Sequence, residues 1–321
     1  MSILFDLYQK YGKEVIVSSE DLMKLIMPNR RKMEKMRITL VGGSEKYPGA
    51  LIMSALAALK CGVHGVVMIA PEEVCRNAVI ISPSGLVILK MNNKLSIYRT
   101  IKNFTQKWQL IALIGPGMED NAPNRSIIKK LISLFIKYKI PILVDANALD
   151  IVFEERLVDK LKNQKVVLTP NDKELKLIGR YYNLIIPENF LDKVEMVKSL
   201  ALKLGLTICA KGRRDIITDG KRLKINYSGD AIMSAANCGD VLSGLIVSFM
   251  AETDDLFDAC VAGTFLAGRA GNLSFSKKGY SFVAYDLLES ISEFIKMASV
   301  QTLIDEVRIS KYHTKKEDLE L

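Results

Sequence analysis

Short runs of Val, Ile and Leu recur along the chain, and stretches with apolar residues at helical spacing separate them. Runs this apolar are typical of strands buried on both faces, because a parallel sheet is covered by helices on each side. The repeated alternation of strand and helix therefore predicts an α/β fold with a mostly parallel central sheet. The predicted parallel strands are Arg37–Val41, Val66–Ile69, Leu110–Ile114, Pro141–Val144, Lys165–Leu168 and Thr207–Ala210.

The pattern changes after the last of these strands. Asp219-Gly220 is a hairpin signal, and it lies between two short apolar runs, Ile216–Thr218 and Leu223–Tyr227. This arrangement predicts an antiparallel edge on the sheet. Three consecutive helices are then predicted, over Asp240–Met250, Asp258–Ala270 and Tyr285–Ala298.

The periodic pattern occupies most of the 321 residues. We expect one domain over 37–300, an N-terminal extension over 1–36, and a charged, flexible tail over 301–321, where the periodicity is lost. The chain shows no basic-then-apolar leader pattern and no apolar run of membrane-spanning length. These features predict a cytoplasmic protein that does not interact with membranes.

Cysteine and histidine usage excludes several kinds of site. The five cysteines are scattered and never form a Cys-x-x-Cys pair, so we expect free thiols in a reducing compartment rather than disulfides or a zinc site. The chain has two histidines, His64 and His313, which argues against a His-based triad or metal cluster.

A net charge of +9 predicts an anionic partner. The basic residues are spread along the chain, whereas nucleic-acid binding calls for a dense basic stripe, ideally with interleaved aromatic residues. The one compact basic cluster, Arg30 to Arg37, contains Met33 and Met36 but no aromatic residue. The charge therefore favours a nucleotide or dinucleotide over a nucleic acid.

Glycine, Pro, Asp and Asn gather directly after one predicted strand after another. Ligands of open parallel sheets bind beyond the carboxyl ends of the strands, so we expect a binding site at this edge. A single glycine after a strand usually marks a turn, but the recurrence along the chain is a stronger signal. The segments are Gly42-Gly43-Ser44, Tyr47-Pro48-Gly49-Ala50, Gly115-Pro116-Gly117, Asp145-Ala146-Asn147-Ala148-Leu149, Thr169-Pro170-Asn171 and Lys211-Gly212.

Gly239-Asp240 lies at the start of a predicted helix. The free N–H groups of a first helical turn and the helix dipole favour an anion there, and Gly239 lets a phosphate approach the backbone closely. Asp240 would place a carboxylate beside that phosphate, although an Asp at this position can also be a simple N-cap. Cys238 can be a reactive thiol at a helix start, or it can stand in for a small hydroxyl residue.

Taken together, these residues resemble the ribokinase-like superfamily and, within it, the ADP- or ATP-dependent NAD(P)H-hydrate dehydratases. The resemblance runs from about Ile38 to Ile295 and implies a three-layer α/β/α sandwich. The segments that carry it are Val41-Gly42-Gly43-Ser44 with Tyr47 and Gly49-Ala50, Ile114-Gly115-Pro116-Gly117, Val144-Asp145-Ala146-Asn147-Ala148-Leu149, Leu168-Thr169-Pro170 with Glu174, Lys211-Gly212, Gly239-Asp240-Val241-Leu242-Ser243-Gly244, and Ala262-Gly263 through Ala270-Gly271.

The resemblance implies a reaction. Its substrate is the S form of NADH or NADPH hydrated on the nicotinamide ring, and its co-substrate is ADP or ATP with Mg²⁺. Asp240 would be the base on the ring hydroxyl while it attacks the terminal phosphate, and elimination of phosphate would restore the dihydronicotinamide. The resemblance places Ala50, Gly117, Asn171 and Asp240 at the substrate, and it places Lys211, Gly212, Arg213, Arg214, Asp215 and Gly239 at the nucleotide. It does not identify the metal ligands.

Several positions depart from the usual pattern of these enzymes, among them Asn171 in place of the usual His and Lys173 in place of the usual Gly. The loop before Asp240 is usually Thr-Gly-Gly-Thr-Gly, and here it is Ala235-Ala236-Asn237-Cys238-Gly239. In the loop that begins at Lys211, called the lysine loop below, Asp215 replaces the usual Thr and brings a negative charge, which Arg213 and Arg214 can offset.

Two other functions stay open from the sequence. One is a small-molecule kinase of the same fold, acting on a vitamin precursor or a sugar, and the other is a catalytically weakened nucleotide-binding paralogue. The resemblance is also compatible with a homo-oligomer, whose interface the sequence does not identify.

Overall fold

Nine strands form one sheet in this computed structural model, which describes residues 3–26, 36–82, 84–229 and 231–298. The strands are β1 (Met36–Val41), β2 (Val66–Ala70), β3 (Leu86–Lys90), β4 (Gln109–Ile114), β5 (Ile142–Val144), β6 (Val166–Leu168), β7 (Thr207–Ala210), β8 (Asp215–Thr218) and β9 (Leu223–Asn226). Their spatial order is β3-β2-β1-β4-β5-β6-β7-β8-β9. The first seven strands in this order run parallel to one another. Strand β8 pairs antiparallel with β7, and β9 pairs antiparallel with β8.

The predicted parallel strands and the antiparallel hairpin are confirmed, and each observed strand begins and ends within one residue of its predicted bounds. Strand β3 was not predicted from the sequence. It lies at the open edge of the sheet and is only partly buried, with Val87 42% exposed, although its run Leu86-Val87-Ile88-Leu89 is as apolar as those of the inner strands.

Helices cover both faces of the sheet and form two separate hydrophobic clusters with it. Residues of β4 alternate between the clusters, with Ile111 and Leu113 on one face and Ala112 and Ile114 on the other, as the period of a strand requires. The helices on the first face are α2 (Ser19–Ile26), α3 (Pro48–Lys60), α4 (Glu72–Ile81), α11 (Cys238–Glu252), α12 (Leu256–Lys278) and α13 (284–298). Those on the second are α1 (Ile3–Tyr11), α5 (Lys94–Lys107), α6 (Ala122–Lys137), α7 (Asn147–Glu154), α8 (Val158–Leu161), α9 (Asp172–Tyr181) and α10 (Phe190–Leu204).

Small residues bring the helices of the first face into close contact. A Cβ added at Gly244 of α11 would lie 2.3 Å from the carbonyl oxygen of Ser54 on α3, and one added at Gly263 of α12 would lie 2.7 Å from the Ile246 side chain. Overpacking of this kind typically costs about 1–3 kcal/mol. The glycines of the sequence motif therefore fix where α11 lies, and with it the helix start that carries Asp240.

The segment before β1 packs against the antiparallel edge. Leu7 of α1 is fully buried, and Ile16 forms a parallel bridge with Ile225 of β9. The Lys224 ammonium lies 2.8 Å from the Asp21 carboxylate of α2. The tail predicted over 301–321 lies outside the described residues. Within the described ranges, no helix is both long and apolar enough to span a membrane.

Candidate active site

Backbone hydrogen bonds connect the loops at the carboxyl ends of neighbouring strands. Gly115 donates its N–H to Val41 at 2.9 Å, and Gly43 donates to Pro116 at 2.8 Å. Two further backbone bonds continue the series toward the other edge of the sheet. The Asp145 N–H donates to the Ile114 carbonyl, and the Lys211 N–H donates to the Pro170 carbonyl. The strand ends thus form one continuous edge, and the segments highlighted by the sequence meet there.

A buried carboxylate lies at the centre of this edge. Asp145 is 1% exposed and follows β5. Its Oδ1 accepts hydrogen bonds from the Lys211 ammonium at 2.5 Å and from the Thr169 hydroxyl at 2.8 Å, and its Oδ2 accepts one from the Ser243 hydroxyl at 2.5 Å. A charge this deeply buried is tolerated only when it is paired and hydrogen-bonded, and Asp145 meets both conditions.

Lys211 carries the positive charge of the site. Burial alone would lower its pKa, but the carboxylates of Asp145 and Glu174 outweigh burial and raise it. The ammonium is therefore charged at neutral pH. A Cβ added at Gly239 would lie 3.7 Å from the Lys211 Nζ, so this cation lies beside the first turn of α11.

The start of α11 has an unusual geometry. Asn237 is the N-cap residue, its backbone is left-handed (φ 69°, ψ −3°), and its side chain makes no capping hydrogen bond to the helix. Asp240 is the third residue of the helix and is not its N-cap, so the alternative that we considered from the sequence does not describe this helix. The Asn237 Nδ2 donates to the Asp240 Oδ2 at 3.0 Å, and the Ser54 hydroxyl donates to the Asp240 carbonyl oxygen at 2.8 Å.

Burial raises the pKa of Asp240 to about 6, and the charge of Asp145 contributes to the increase. The hydrogen bond from Asn237 and the positive charge of Lys211 act in the opposite direction. A carboxyl group with a pKa near the working pH is well suited to accept a proton in a reaction and release it again.

Cys238 follows the N-cap but does not form a thiolate. Its side chain is buried, and burial together with the charge of Asp240 raises the pKa of the thiol to about 12. A reactive cysteine needs a lowered pKa, so the structure favours the second sequence interpretation, a small residue that fills the position.

Two of the predicted substrate residues lie together at the first loop. Gly117 has φ +67°, and a Cβ added there would lie 2.5 Å from the Tyr47 carbonyl oxygen and 2.9 Å from the Ala50 Cβ. Gly117 therefore has no room for a side chain. It packs directly against Ala50, which is 5% exposed, and against the backbone of Tyr47.

Asn171, the third predicted substrate residue, lies at the start of α9 along the same edge. Its Oδ1 accepts hydrogen bonds from the N–H groups of Lys173 and Glu174, and the Glu174 carboxylate accepts one from the Asn171 N–H. This reciprocal capping box occupies the amide oxygen of Asn171, which is therefore engaged within the protein.

The lysine loop turns its acidic residue inward. The Asp215 carboxylate accepts hydrogen bonds from the Gly212 N–H at 3.1 Å and from the Asn226 side-chain amide at 3.0 Å. Burial raises the pKa of Asp215. Arg214 stacks over the Tyr227 ring at 5.1 Å, whereas Arg213 is exposed. Asp215 therefore closes the loop that follows Lys211, and the charge conflict expected from the sequence is reduced by these contacts.

Sequence reasoning missed two hydroxyl residues of the site and one strained position. Thr169 and Ser243 both bind Asp145, and the only local signal was their place: one follows β6 directly, and the other lies one turn after Gly239. Ala146, next to Asp145, has φ 50° and ψ −143°, which is sterically unfavourable for alanine. A residue held in such a conformation beside a buried charge is typical of functional sites.

Comparison with known proteins bears on this site. The family model described as "Carb_kinase: NAD(P)H-hydrate dehydratase" matches residues 38–293. A protein of Pyrobaculum aerophilum named bifunctional NAD(P)H-hydrate repair enzyme is 30% identical over 295 residues, which cover 90% of this chain and 57% of that protein. A protein of Cenarchaeum symbiosum named ADP-dependent (S)-NAD(P)H-hydrate dehydratase is 29% identical over 286 residues, 88% of this chain and 96% of that one. The chain thus spans about half the length of the bifunctional relatives.

Solved structures agree with the fold. A ribokinase-like superfamily protein from Enterococcus faecalis superposes with a TM-score of 0.76 at 21% identity, covering 88% of this chain and 95% of that one. An ADP/ATP-dependent NAD(P)H-hydrate dehydratase from Bacillus subtilis, co-crystallised with ATP and Mg²⁺ and soaked with CoA, gives a TM-score of 0.68 at 19% identity, covering 88% and 98%. At these identities the likeness establishes a ribokinase-like three-layer fold.

Proposed function

The chain belongs to the NAD(P)H-hydrate dehydratase family, and on this premise we propose that it uses ADP or ATP to dehydrate the S form of hydrated NADH and NADPH. The observation that carries the proposal is the pairing of Asp240, a carboxyl group with a pKa of about 6, with the Lys211 ammonium at the first turn of α11. The names of the relatives, which include an ADP-dependent dehydratase, supply the substrate class.

The first half of the reaction is a phosphoryl transfer. Asp240 takes the proton of the ring hydroxyl while the hydroxyl oxygen attacks the terminal phosphorus of the nucleotide. The bond from that phosphorus to the rest of the nucleotide breaks, and ATP leaves as ADP, or ADP as AMP. Lys211 and the N–H groups at the start of α11 stabilise the negative charge on the transferring group.

The second half restores the cofactor. Phosphate leaves the ring with the electrons of its carbon–oxygen bond, a ring proton is lost, and the dihydronicotinamide double bond re-forms. Asp145 acts at a distance from these bonds, because its carboxylate holds the Lys211 ammonium in place together with Thr169 and Ser243. It is a positioning residue in this proposal.

Ala50, Gly117 and Asn171 are proposed to contact the nicotinamide substrate, and the loop from Lys211 to Asp215, with Gly239, is proposed to contact the nucleotide. The close packing of Gly117 against Ala50 and the Tyr47 backbone, at the carboxyl ends of the strands, supports the first assignment. The cation at Lys211 and the positive end of α11 support the second. We place this activity in residues 37–300 and in the cytoplasm.

Magnesium is expected to enter with the nucleotide. Across the described part of the chain, no three His, Cys, Asp or Glu side chains come together in a way that could hold a metal ion. Mg²⁺ in phosphoryl-transfer enzymes keeps several waters and is held largely by phosphate oxygens, so a complete protein cage is not required. When bound, the ion would neutralise charge on the phosphates.

A dehydration assay tests the proposal. Purified protein, ADP or ATP and Mg²⁺ are mixed with the S-hydrate, and recovery of the absorbance of reduced nicotinamide is recorded. Recovery supports the dehydratase, whereas a stable phosphoester product without recovery would identify a kinase. Binding of nucleotide without any turnover would identify a weakened paralogue.

Asp240→Asn tests the base. We expect kcat to fall by about 10²–10⁴-fold, because general base catalysis contributes about that much. Asp192→Asn is the matched control, since Asp192 is likewise the third residue of a helix, α10, and lies outside the site. Full activity of Asp240→Asn in a folded protein would contradict the assignment.

A further inference from the structure

The N-cap residue of α11 uses its side chain in an uncommon way. An N-cap Asn normally accepts hydrogen bonds from the first turn through its Oδ1, as Asn189 does for Leu191 and Asp192 of α10. Asn237 makes no such bond. Its Nδ2 instead donates to the Asp240 Oδ2 at 3.0 Å, so this side chain serves the carboxylate of the proposed base.

We propose that Asn237 is a positioning residue for Asp240: its amide holds Oδ2 and the ionised form of the carboxylate, which leaves Oδ1 to take the proton of the substrate. The inference rests on the proposed function, in which Asp240 is the base. It adds a residue from the segment where this chain departs most from its relatives, the loop Ala235 to Gly239.

The backbone explains why asparagine suits this position. A residue with φ 69° must tolerate the left-handed region, which Gly does best and Asn does better than most other residues. Gly would supply the turn without a donor, and Asp would supply an acceptor that repels the carboxylate of Asp240. Asn therefore satisfies the backbone and the carboxylate together.

The charges around Asp240 give this hydrogen bond its effect. Burial and the carboxylate of Asp145 favour the protonated form of Asp240, while the Lys211 ammonium and the Asn237 amide favour the ionised form. Ser54 contacts only the backbone carbonyl of Asp240, and the neighbouring Cys238 thiol stays neutral. Asn237 is therefore the uncharged group that opposes the effect of burial on the pKa of Asp240.

Asn237→Gly removes the amide and keeps the turn. If the pKa of Asp240 rises by about one unit, the ionised fraction at pH 6 falls from about one half to about one tenth. We expect kcat at pH 6 to fall about fivefold, the difference from wild type to vanish near pH 8.5, and KM for the nucleotide to stay unchanged. Asn237→Asp should move the acid limb of the pH profile to still higher pH, because it places a second negative charge beside Asp240.

Asn183→Gly is the matched control, because Asn183 also has a left-handed backbone (φ 54°) and lies after α9, outside the site. Its pH profile should superimpose on that of wild type. A loss of kcat in Asn237→Gly that is equal at every pH would indicate a merely structural role and would overturn the inference.

A titration that needs no substrate separates this inference from the proposed function. The carboxyl carbon of Asp240 is followed by NMR against pH in wild type and in Asn237→Gly, without ligands. A higher midpoint in the variant supports the inference even if the wild type fails to dehydrate the hydrate, in which case the proposed function alone is lost. Identical midpoints overturn the inference, whether or not the enzyme is active.

Discussion

Helices α10 and α11 begin with the same spacing of residues, Asn-x-x-Asp, yet the two starts are built differently. At α10, Asn189 has an extended backbone and caps the first turn, next to the ion pair between Lys193 and Asp172, whose carboxylate is 66% exposed. At α11, Asn237 has a left-handed backbone and leaves the first turn uncapped, next to the buried cation of Lys211.

The difference shows how one local pattern serves stability in one place and chemistry in another. At α10 the first-turn N–H groups are satisfied by the protein, so the helix start gains stability and offers nothing to a ligand. At α11 no side chain caps them, although the Cys238 N–H donates to the Ala235 carbonyl at 3.3 Å, and a positive charge and a carboxylate with a raised pKa lie beside them. The four predictions that follow test this contrast, from the largest expected effect to the smallest.

Replacing the cation at each helix start should give the largest difference. Lys211→Met leaves the Asp145 carboxylate buried without its ion partner, and we expect a loss of about 3–5 kcal/mol in the free energy of unfolding. Lys193→Met leaves the Asp172 carboxylate, which is 66% exposed, in contact with water and should cost under about 1 kcal/mol. Denaturant unfolding at neutral pH measures both.

A second variant keeps this test specific. The double variant Lys211→Met with Asp145→Asn removes both charges and should be more stable than Lys211→Met alone. If Lys211→Met unfolds at the same denaturant concentration as wild type, the buried pair does not stabilise the site edge and the contrast between the two helix starts fails.

Asp240→Asn should stabilise the protein at neutral pH. The pKa of Asp240 is about 6 in the folded state against an ordinary value of 3.8, so the folded state binds this proton more tightly than the unfolded state. The contribution of Asp240 to stability is therefore full below pH 4, falls as the pH rises from about 4 to 6, and stays low above. Removing the charge should return about 3 kcal/mol at pH 7, since one pKa unit corresponds to about 1.4 kcal/mol.

The same measurement on the other helix should give the opposite sign. Asp192 is exposed at the first turn of α10, where its charge interacts favourably with the helix dipole, so Asp192→Asn should lose a few tenths of a kcal/mol. Thermal unfolding of both variants at pH 4 and pH 7 provides the comparison. If Asp240→Asn is less stable than wild type at pH 7, the folded state does not disfavour the ionised form of Asp240.

Two serines of α11 test how far the chemistry extends along the helix. Ser243→Ala removes a hydroxyl donor from the buried Asp145, and we expect a loss of about 1–3 kcal/mol together with lower activity. Ser248→Ala is the control, because its buried hydroxyl bonds to the Gly244 carbonyl one turn before and to the Cys61 thiol rather than to Asp145. Equal losses in denaturant unfolding for the two variants would contradict the importance of the Asp145 contact.

The cap of α10 should give the smallest effect. Asn189→Ala removes the capping oxygen and should cost about 1 kcal/mol, the usual contribution of an N-cap. Asn237→Gly removes no cap and fits the left-handed backbone, so its free energy of unfolding should stay within about 0.5 kcal/mol of wild type. A larger loss for Asn237→Gly than for Asn189→Ala would reverse the assignment of the two roles.

The sequence predicted the fold well because the fold depends on strong local patterns. Apolar runs, the Asp219-Gly220 hairpin and the small residues of α11 each act over a few neighbouring positions, and all appear in the structure. The packing of residues 3–26 on the sheet edge was not predicted, because it joins distant parts of the chain, and strand β3 was overlooked although Leu86-Val87-Ile88-Leu89 is a continuous apolar run.

The site was less predictable because its contacts join distant parts of the chain. Asp145 meets Lys211, Thr169 and Ser243 from three other elements, and no local pattern reports such a meeting. Gly239 and Asp240 were proposed from the helix start together with the family resemblance, and the helix start alone left the N-cap alternative open. The role of Asn237 was not predicted. Asn189 and Asn237 stand in the same Asn-x-x-Asp spacing, and only the surrounding structure selects their backbone conformations.

The contact between α3 and α11 has a mechanical consequence. Gly244 lies against the Ser54 carbonyl, and the Ser54 hydroxyl holds the carbonyl of Asp240, so the two helices form one rigid body. Ala50, in the first turn of α3, belongs to that body as well. We therefore expect thermal motion to displace Ala50 and Asp240 together, so that a substrate contacting Ala50, as proposed, keeps its distance from Asp240 as the two helices move.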